Sequence, residues 1–325
     1  MSVLVTGAAG HVGNNVVRAL LTHGRTVRVL VHSTSPTLDG LDVEKIRGDI
    51  LDRGSLDGAF EDIEAAYHCA ALVSIAPADG PRVIRTNVLG TRNVVDACLA
   101  HGVRRLVHVS SVHALGPPRL NGVTDESCGP NLDPKAPAYD RSKTAGEEEI
   151  RAGIRRGLDA VIVNPTAIIG PHDYVPRLAG RALITMYRGR LPVNVAGGFN
   201  WVDARDIAAG ALAAEARGRS GESYLLSGHW ASMRDLAALM RKCTGRRGPR
   251  LVAPLWLARI GVPFFAAWTK LTGSEPLYTA ASLRALKEHR VCSSAKASAE
   301  LGFASRPLEP TIADTFAFYA RAGLL

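Results

Sequence analysis

The sequence predicts an α/β fold: a doubly wound parallel sheet with a smaller, mainly C-terminal α/β lobe for a second ligand. Two observations predict it. Short apolar runs alternate with helical patterns at the pace of a parallel sheet. The first of those runs also stops at a glycine-rich turn with a helix directly behind it. That opening stretch reads Val3-Leu4-Val5-Thr6-Gly7-Ala8-Ala9-Gly10-His11-Val12-Gly13. A strand that hands over to a helix through glycines offers unpaired backbone N–H groups to an anion such as a pyrophosphate. Gly7 would permit the tight turn, Gly10 the close approach of phosphate, and Gly13 the packing of helix on strand.

The remaining elements follow in order. Val12, Val16, Val17, Leu20 and Leu21 recur at helical spacing, and Gly24 ends that helix. Strands are expected over Thr26 to Val31, Val43 to Arg47, Ala65 to Ala70, Arg105 to Ser110 and Asp159 to Asn164, where Pro165 stops the last. Asn87 to Ala100 and Tyr139 to Ile154 read as helices, and Gly116 to Pro137 as a loop rich in Gly, Pro and Asn. Right-handed crossovers would place the carboxyl ends of the strands along one edge. The glycine turn, Asp49, Ala70-Ala71, Ser110-Ser111 and Asn164 should therefore gather on one cleft. Beyond Pro165 the alternation lapses. A helix over Ala204 to Ala214 and a strand over Glu222 to Ser227 should return to the main sheet. The expected division is residues 1–165 plus about 203–228 for the dinucleotide, and about 166–202 plus 229–325 for the substrate.

Composition narrows the function classes. The chain has 325 residues, 46% of them hydrophobic and 21% charged, which are globular values. Net charge is +9, but the basic residues are scattered and their doublets have no interleaved aromatics, which argues against a nucleic-acid partner. Five cysteines without a Cys-x-x-Cys pair signal neither a disulfide framework nor a zinc site. The ten histidines show no metal-ligand spacing, so no metal is expected. The longest apolar stretch, Leu251 to Leu271, is broken by Pro254, Arg259, Pro263 and Lys270, so no membrane span is expected. The first strand begins at Ser2, which leaves no room for a signal peptide, and the expected location is cytoplasmic.

Tyr139-Asp140-Arg141-Ser142-Lys143 is the second informative stretch. Tyr139 and Lys143 are four residues apart and share a helix face, continued by Gly146, Ile150 and Ile154. An ammonium beside a phenol favours the phenolate and should lower the tyrosine pKa. A tyrosine tuned in this way can pass a proton to an alkoxide or take one from an alcohol.

Together these motifs resemble an extended short-chain dehydrogenase/reductase, of the NAD-dependent epimerase/dehydratase superfamily. The resemblance rests on Thr6-Gly7-x-x-Gly10-x-x-Gly13, Asp49-Ile50, His68-Cys69-Ala70-Ala71, Asn87-x-x-Gly90-Thr91, Ser110-Ser111, Tyr139-x-x-x-Lys143 and Asn164-Pro165. The run from Asn164 to Pro171 and the late Glu300-Leu301-Gly302-Phe303 place it nearest the dihydroflavonol-reductase-like branch. The resemblance implies a Rossmann sheet and a nicotinamide cofactor on Thr6, Gly7, Gly10, His11, Val12, Gly13, Asp49, Ile50, Ala70, Ala71 and Pro165. It makes Tyr139 the acid/base, Lys143 the group on the nicotinamide ribose, and Ser111 the partner of the substrate oxygen. Asn87 would support the lysine through water, or else cap a helix. Asp49 would meet the adenine, or else serve as a turn residue. The family also implies a homodimer through the helices at 87–100 and 139–154.

Cofactor choice is read at the end of the second strand. An acid there would bond the ribose 2′-OH of NAD, and donors would suit the 2′-phosphate of NADP. His32-Ser33-Thr34 supplies donors and no acid, so NADP is expected over NAD. Three functions then compete: carbonyl–alcohol interconversion on a small hydrophobic substrate, nucleotide-sugar epimerisation, and non-catalytic dinucleotide sensing. Dehydratases of the family carry an acidic pair where this chain has Val112-His113, which excludes that chemistry. An apolar cluster at Leu255, Trp256, Leu257, Ile260, Val262, Phe264, Phe265 and Trp268 suits a hydrophobic substrate, or is core or a dimer contact. His113, Asn164, Tyr174 and Trp201 are further candidates for the substrate pocket.

Overall fold

A computed structural model of the chain describes residues 2–118, 122–191, 193–249, 251–258, 260, 279–286 and 289–325. Its strands include β1 (Ser2–Thr6), β2 (Val27–Val31), β3 (Val43–Arg47), β4 (Ile63–His68), β5 (Arg105–Val109) and β6 (Ala160–Pro165). These are followed by β7 (Ala167–Ile169), β8 (Gly198–Asp203), β9 (Ser223–Leu226) and β10 (His229–Ser232). The main sheet is parallel throughout, in the order β9-β6-β5-β4-β1-β2-β3. Strand order reverses between β1 and β4, and in such a sheet ligands bind at the carboxyl ends beside the reversal.

The central strands β1, β4, β5 and β6 are buried on both faces along their apolar runs, while the edge strand β3 (Val-Glu-Lys-Ile-Arg) is largely exposed. Val3 and Val5 face one layer, with α1 (His11–Thr22) above them. Leu4 faces the other, with Ile50, Val94 and Val95 of α2 (Gly90–Ala100) and Ile150 of α3 (Ala138–Arg155). The period of two along β1 thus splits the core in two. The second sheet runs β10-β8-β7. It is covered by α4 (Leu178–Tyr187), α6 (Met233–Thr244) and α8 (Leu308–Arg321) around Leu183, Trp201, Leu236, Phe316 and Tyr319. Between them α5 (Ala204–Arg217) returns to the main sheet and packs on α1, its N-terminus capped by Asp203.

Several expectations need correction. The helix expected from Asn87 begins earlier: the chain is helical from Gly80, with Arg85–Leu89 wound as a π-turn before α2. The loop over 116–137 contains a two-residue strand, Val123–Thr124, paired with Val291–Cys292 from far along the chain. The segment α7 (Ala295–Leu301), expected with the substrate lobe, packs on the main sheet instead. Ala297, Leu301 and Phe303 join its core, and Arg217 of α5 donates to the Leu301 carbonyl. Of the apolar cluster, Leu255 packs on Val195, Leu283 and Leu286, while Trp256, Leu257 and Ile260 face solvent. Val262, Phe264, Phe265 and Trp268 lie outside the described residues. Among the described residues no helix is long and apolar enough to cross a membrane, and no cluster of His, Cys, Asp or Glu could hold a metal ion.

Candidate active site

A cleft of about 660 Å³ opens at the carboxyl ends of β1, β4, β5 and β6. One side is the glycine turn. Gly7 has φ +69°, and a Cβ there would lie 2.5 Å from the Ala70 nitrogen. A Cβ on Gly13 would lie 2.2 Å from the Gly7 carbonyl oxygen. Turn, helix start and the chain just after β4 are therefore in backbone contact. Gly10, His11, Val12 and Gly13 line the cleft. Gly10 is the N-cap of α1, no side chain caps that end, and its first turn has no acidic residue. The early amides of α1 are thus left for an anion, which fits a dinucleotide pyrophosphate. Thr6 is turned inward, its hydroxyl 2.7 Å from His68 Nδ1. His68 also meets Thr91, and burial holds it down to about 3 and neutral.

The other side is α3. Tyr139 is half-buried, and the Ser111 hydroxyl beside it favours the phenolate. Lys143, one turn on, donates to the Val109 carbonyl at 3.0 Å. Ser111, His113, Tyr139, Lys143, Ala71 and Pro165 all border the cleft. The expected depression of the Tyr139 pKa by Lys143 is not seen. Burial pushes the phenol up to about 12, the nearby Ser111 hydroxyl opposes this, and Asp140 adds to it. Lys143 is bound instead to the end of β5, and burial pulls it down to about 8 against the raising effect of Glu147.

That lysine yields a prediction with two opposite trends. Its ammonium is complete well below pH 8 and lost above it. Affinity for a dinucleotide held by Lys143 should fall as pH rises past 8, read by titration of nucleotide fluorescence. Folding stability from this group should rise over the same interval, toward the ordinary lysine value of 10.5, because burial disfavours only the charged form. Urea unfolding at each pH reads the second trend.

The other candidates are placed by contacts within the protein. Asn87 lies inside the π-turn and not at a helix start, and it makes no direct bond to Lys143. It accepts from Leu72 N at 2.7 Å and donates to Leu72 O at 3.0 Å and Ser142 Oγ at 2.9 Å, tying the chain after Ala71 to α3. Asn164 is fully buried and donates to the Ser111 carbonyl at 3.0 Å and Glu147 Oε1 at 2.6 Å, so it faces the protein and not the cleft. Tyr174 lies outside the cleft lining, accepts from Arg18 at 3.1 Å and packs on Phe318. Asp49 accepts from Leu51 N at 2.9 Å as a turn residue, and Ile50 is buried against Gly90. Trp201 does line the cleft, with Nε1 donating to the Ala231 carbonyl at 3.1 Å. His32 and its neighbour Ser33 are exposed beyond β2, and His32 Nε2 is 3.5 Å from Asp49 Oδ2.

Glu147 was missed. It is 1% exposed and gathers Ser110 Oγ at 2.7 Å, Asn164 Nδ2 and Arg151 Nη2 at 2.9 Å behind the lysine. The signal was available, since Glu147 continues the four-residue step from Tyr139 through Lys143.

The family model described as the NAD dependent epimerase/dehydratase family matches residues 3–227, on which the glycine turn, Ser111, Tyr139 and Lys143 all lie. The chain belongs to that family. Within it the chain is of the extended short-chain dehydrogenase/reductase type and resembles the dihydroflavonol-reductase-like branch. It is 36% identical to "Sterol demethylase protein B" of Methylococcus capsulatus over 100% of both chains. It is 33% identical to a Synechocystis protein named as a dihydroflavonol 4-reductase, over 98% of this chain and 94% of that one. The crystal structure of gox2253 superposes with TM-score 0.87 at 32% identity, over 100% of this chain and 99% of that one. A nicotinamide dinucleotide is the cofactor of this epimerase/dehydratase family, and the uncapped start of α1 fits one.

Proposed function

We propose that this family member is an NADP-dependent oxidoreductase interconverting a carbonyl and a secondary alcohol on a small hydrophobic substrate. The observation that carries this is that Ser111, Tyr139 and Lys143 border one cleft whose far wall is apolar. A phenol held near 12 keeps its proton at working pH and is ready to give it to an alkoxide. Ser111 donates toward the carbonyl oxygen, where negative charge develops. Lys143 holds the ribose, and Glu147 behind it favours the charged lysine. A reduced nicotinamide, when bound, supplies the hydride. Residues 1–165 with about 203–228 hold the cofactor, and about 166–202 with 229–325 shape the substrate site, except for the segment around Ala295–Phe303 that packs on the main sheet. The reading makes the protein a cytoplasmic enzyme on a small molecule, with α2 and α3 as a homodimer contact.

The relatives named for sterol demethylation and for dihydroflavonol reduction favour a hydrophobic polycyclic substrate over a sugar diphosphate. Asn164, the candidate for a sugar-phosphate contact, is committed to Ser111 and Glu147. The test is NADPH oxidation with aromatic, steroidal and aliphatic ketones, run beside nucleotide sugars. Ketone-dependent oxidation is expected. Sugar interconversion without net cofactor change would mean an epimerase.

His32 is proposed to donate to the 2′-phosphate of NADP, leaving its position beside Asp49. A charge-assisted hydrogen bond is worth about 1.5–3 kcal/mol, so His32→Ala should weaken NADPH binding by about 10- to 100-fold. NADH binding should not change. Tighter binding of NADH than NADPH by the unaltered protein would contradict the assignment.

A further inference from the structure

The far wall of the cleft is built from Leu191, Val195, Phe199, Trp201, Met233 and Leu286. Polar side chains embedded near this wall have partners. Asn200 Oδ1 accepts from Thr166 at 3.0 Å and Gly228 N at 2.7 Å, Asp173 accepts from Tyr319 at 3.0 Å, and the Trp201 indole is bonded. Asn194 is different. It lines the same cleft and is 1% exposed, yet neither its Nδ2 nor its Oδ1 is hydrogen-bonded. Its backbone is held in place by strand pairing. Asn194–Val195 pairs with Val252–Ala253, Asn194 N donates to Leu251 O at 2.9 Å, and Ala196 N donates to Ala253 O at 2.9 Å.

A buried amide with both functions unpaired is costly to folding. Leucine has the same branching at Cγ and, though bulkier, would border the open cleft without that cost. A fixed, unsatisfied amide in an apolar wall is the arrangement that reads a ligand polar group, and it rejects analogues lacking that group far more strongly than an apolar pocket rejects a missing methylene. An amide side chain offers a donor and an acceptor side by side. A plain carbonyl on the ligand would satisfy only Nδ2, and a carboxylate would face Oδ1 with like polarity. A hydroxyl or carboxamide on the ligand satisfies both.

We infer that Asn194 is a specificity residue that hydrogen-bonds a second polar group, a hydroxyl or carboxamide, on an otherwise apolar ketone substrate. This rests on the reductase reading for the first polar group, the carbonyl at Ser111 and Tyr139. The substrate class is thereby narrowed from hydrophobic ketones to ketones with a donor–acceptor group remote from the reacting carbon.

The test uses matched pairs: a saturated steroid ketone with and without a hydroxyl on its far ring, and hydroxyphenylbutanone against phenylbutanone. Kd is measured with NADP⁺ bound, and kcat/KM with NADPH. In the unaltered protein at least one pair should favour the hydroxylated member by about 10- to 100-fold in Kd. Asn194→Leu and Asn194→Ala should reduce that preference to near unity by weakening the hydroxylated member, with NADP⁺ affinity unchanged. Asn194→Leu should also raise the Tm of the ligand-free protein. Equal affinities within every pair, no binding by any pair, or a preference that survives both substitutions overturns the inference. A preference in Kd without NADPH oxidation by any ketone overturns the reductase reading and leaves the Asn194 assignment standing.

Discussion

Tyr139→Phe is expected to lower kcat for ketone reduction by about two to four orders of magnitude, the usual contribution of a positioned general acid. NADPH should still bind with unchanged Kd, because the glycine turn and Lys143 are untouched. The substitution is mild structurally. The Tyr139 ring keeps its space on α3 beside His113, whose ring centroid is 6.0 Å away, and only the hydroxyl beside Ser111 is lost. Stability should therefore change little, and a loss of rate cannot be laid to unfolding. Stopped-flow NADPH oxidation and a thermal melt of the same preparation separate the two. A variant that keeps most of its rate would show that the proton comes from elsewhere.

The second large effect is expected at Gly13. An alanine Cβ would stand 2.2 Å from the Gly7 carbonyl oxygen and 2.9 Å from Ala8 Cα. Gly7 cannot retreat, since its own Cα face abuts the Ala70 backbone. The start of α1 must move instead, and with it the amides of His11 to Gly13. Overpacking of this kind costs about 1–3 kcal/mol. Displaced amides should weaken NADPH binding by about 100-fold or more. Gly24→Ala is the control. Gly24 has φ +69° like Gly7, but nothing lies within 4 Å of a Cβ there. It should lose about 1 kcal/mol through backbone strain alone, with NADPH affinity intact. Equal Kd values for Gly13→Ala and the unaltered protein would remove the phosphate-binding role from this turn.

Much of this was legible in the sequence, and what was not has physical causes. The glycine turn and the Tyr139–Lys143 pair are local patterns, read from spacing within one turn and one helix. Their placement on one cleft followed from parallel crossovers. The orientation of Asn164 was not legible, because its partners Ser111 and Glu147 come from other elements and compete with the cleft for its amide. The same holds for Asn87, which the π-turn rotates toward Leu72 and Ser142. The raised Tyr139 pKa depends on burial, which pairwise spacing does not report. Asn194 was invisible for a related reason: its significance is the absence of a partner, a property of the folded surroundings and not of any motif.

The packing of α1 against α5 also bears on how the chain is made. Val16, Val17 and Leu20 of α1 share their core with Ile207, Ala208, Ala211 and Ala214 of α5, nearly two hundred residues later. At ribosomal speeds of about 5–20 residues per second, that face of the first helix waits on the order of 10 to 40 s for its cover. During this interval the nascent chain presents an apolar stripe beside an incomplete sheet, which lacks β9 as well. Chaperone holdases that bind exposed apolar helices should therefore meet this protein early, and release it only once residue 217 has left the exit tunnel.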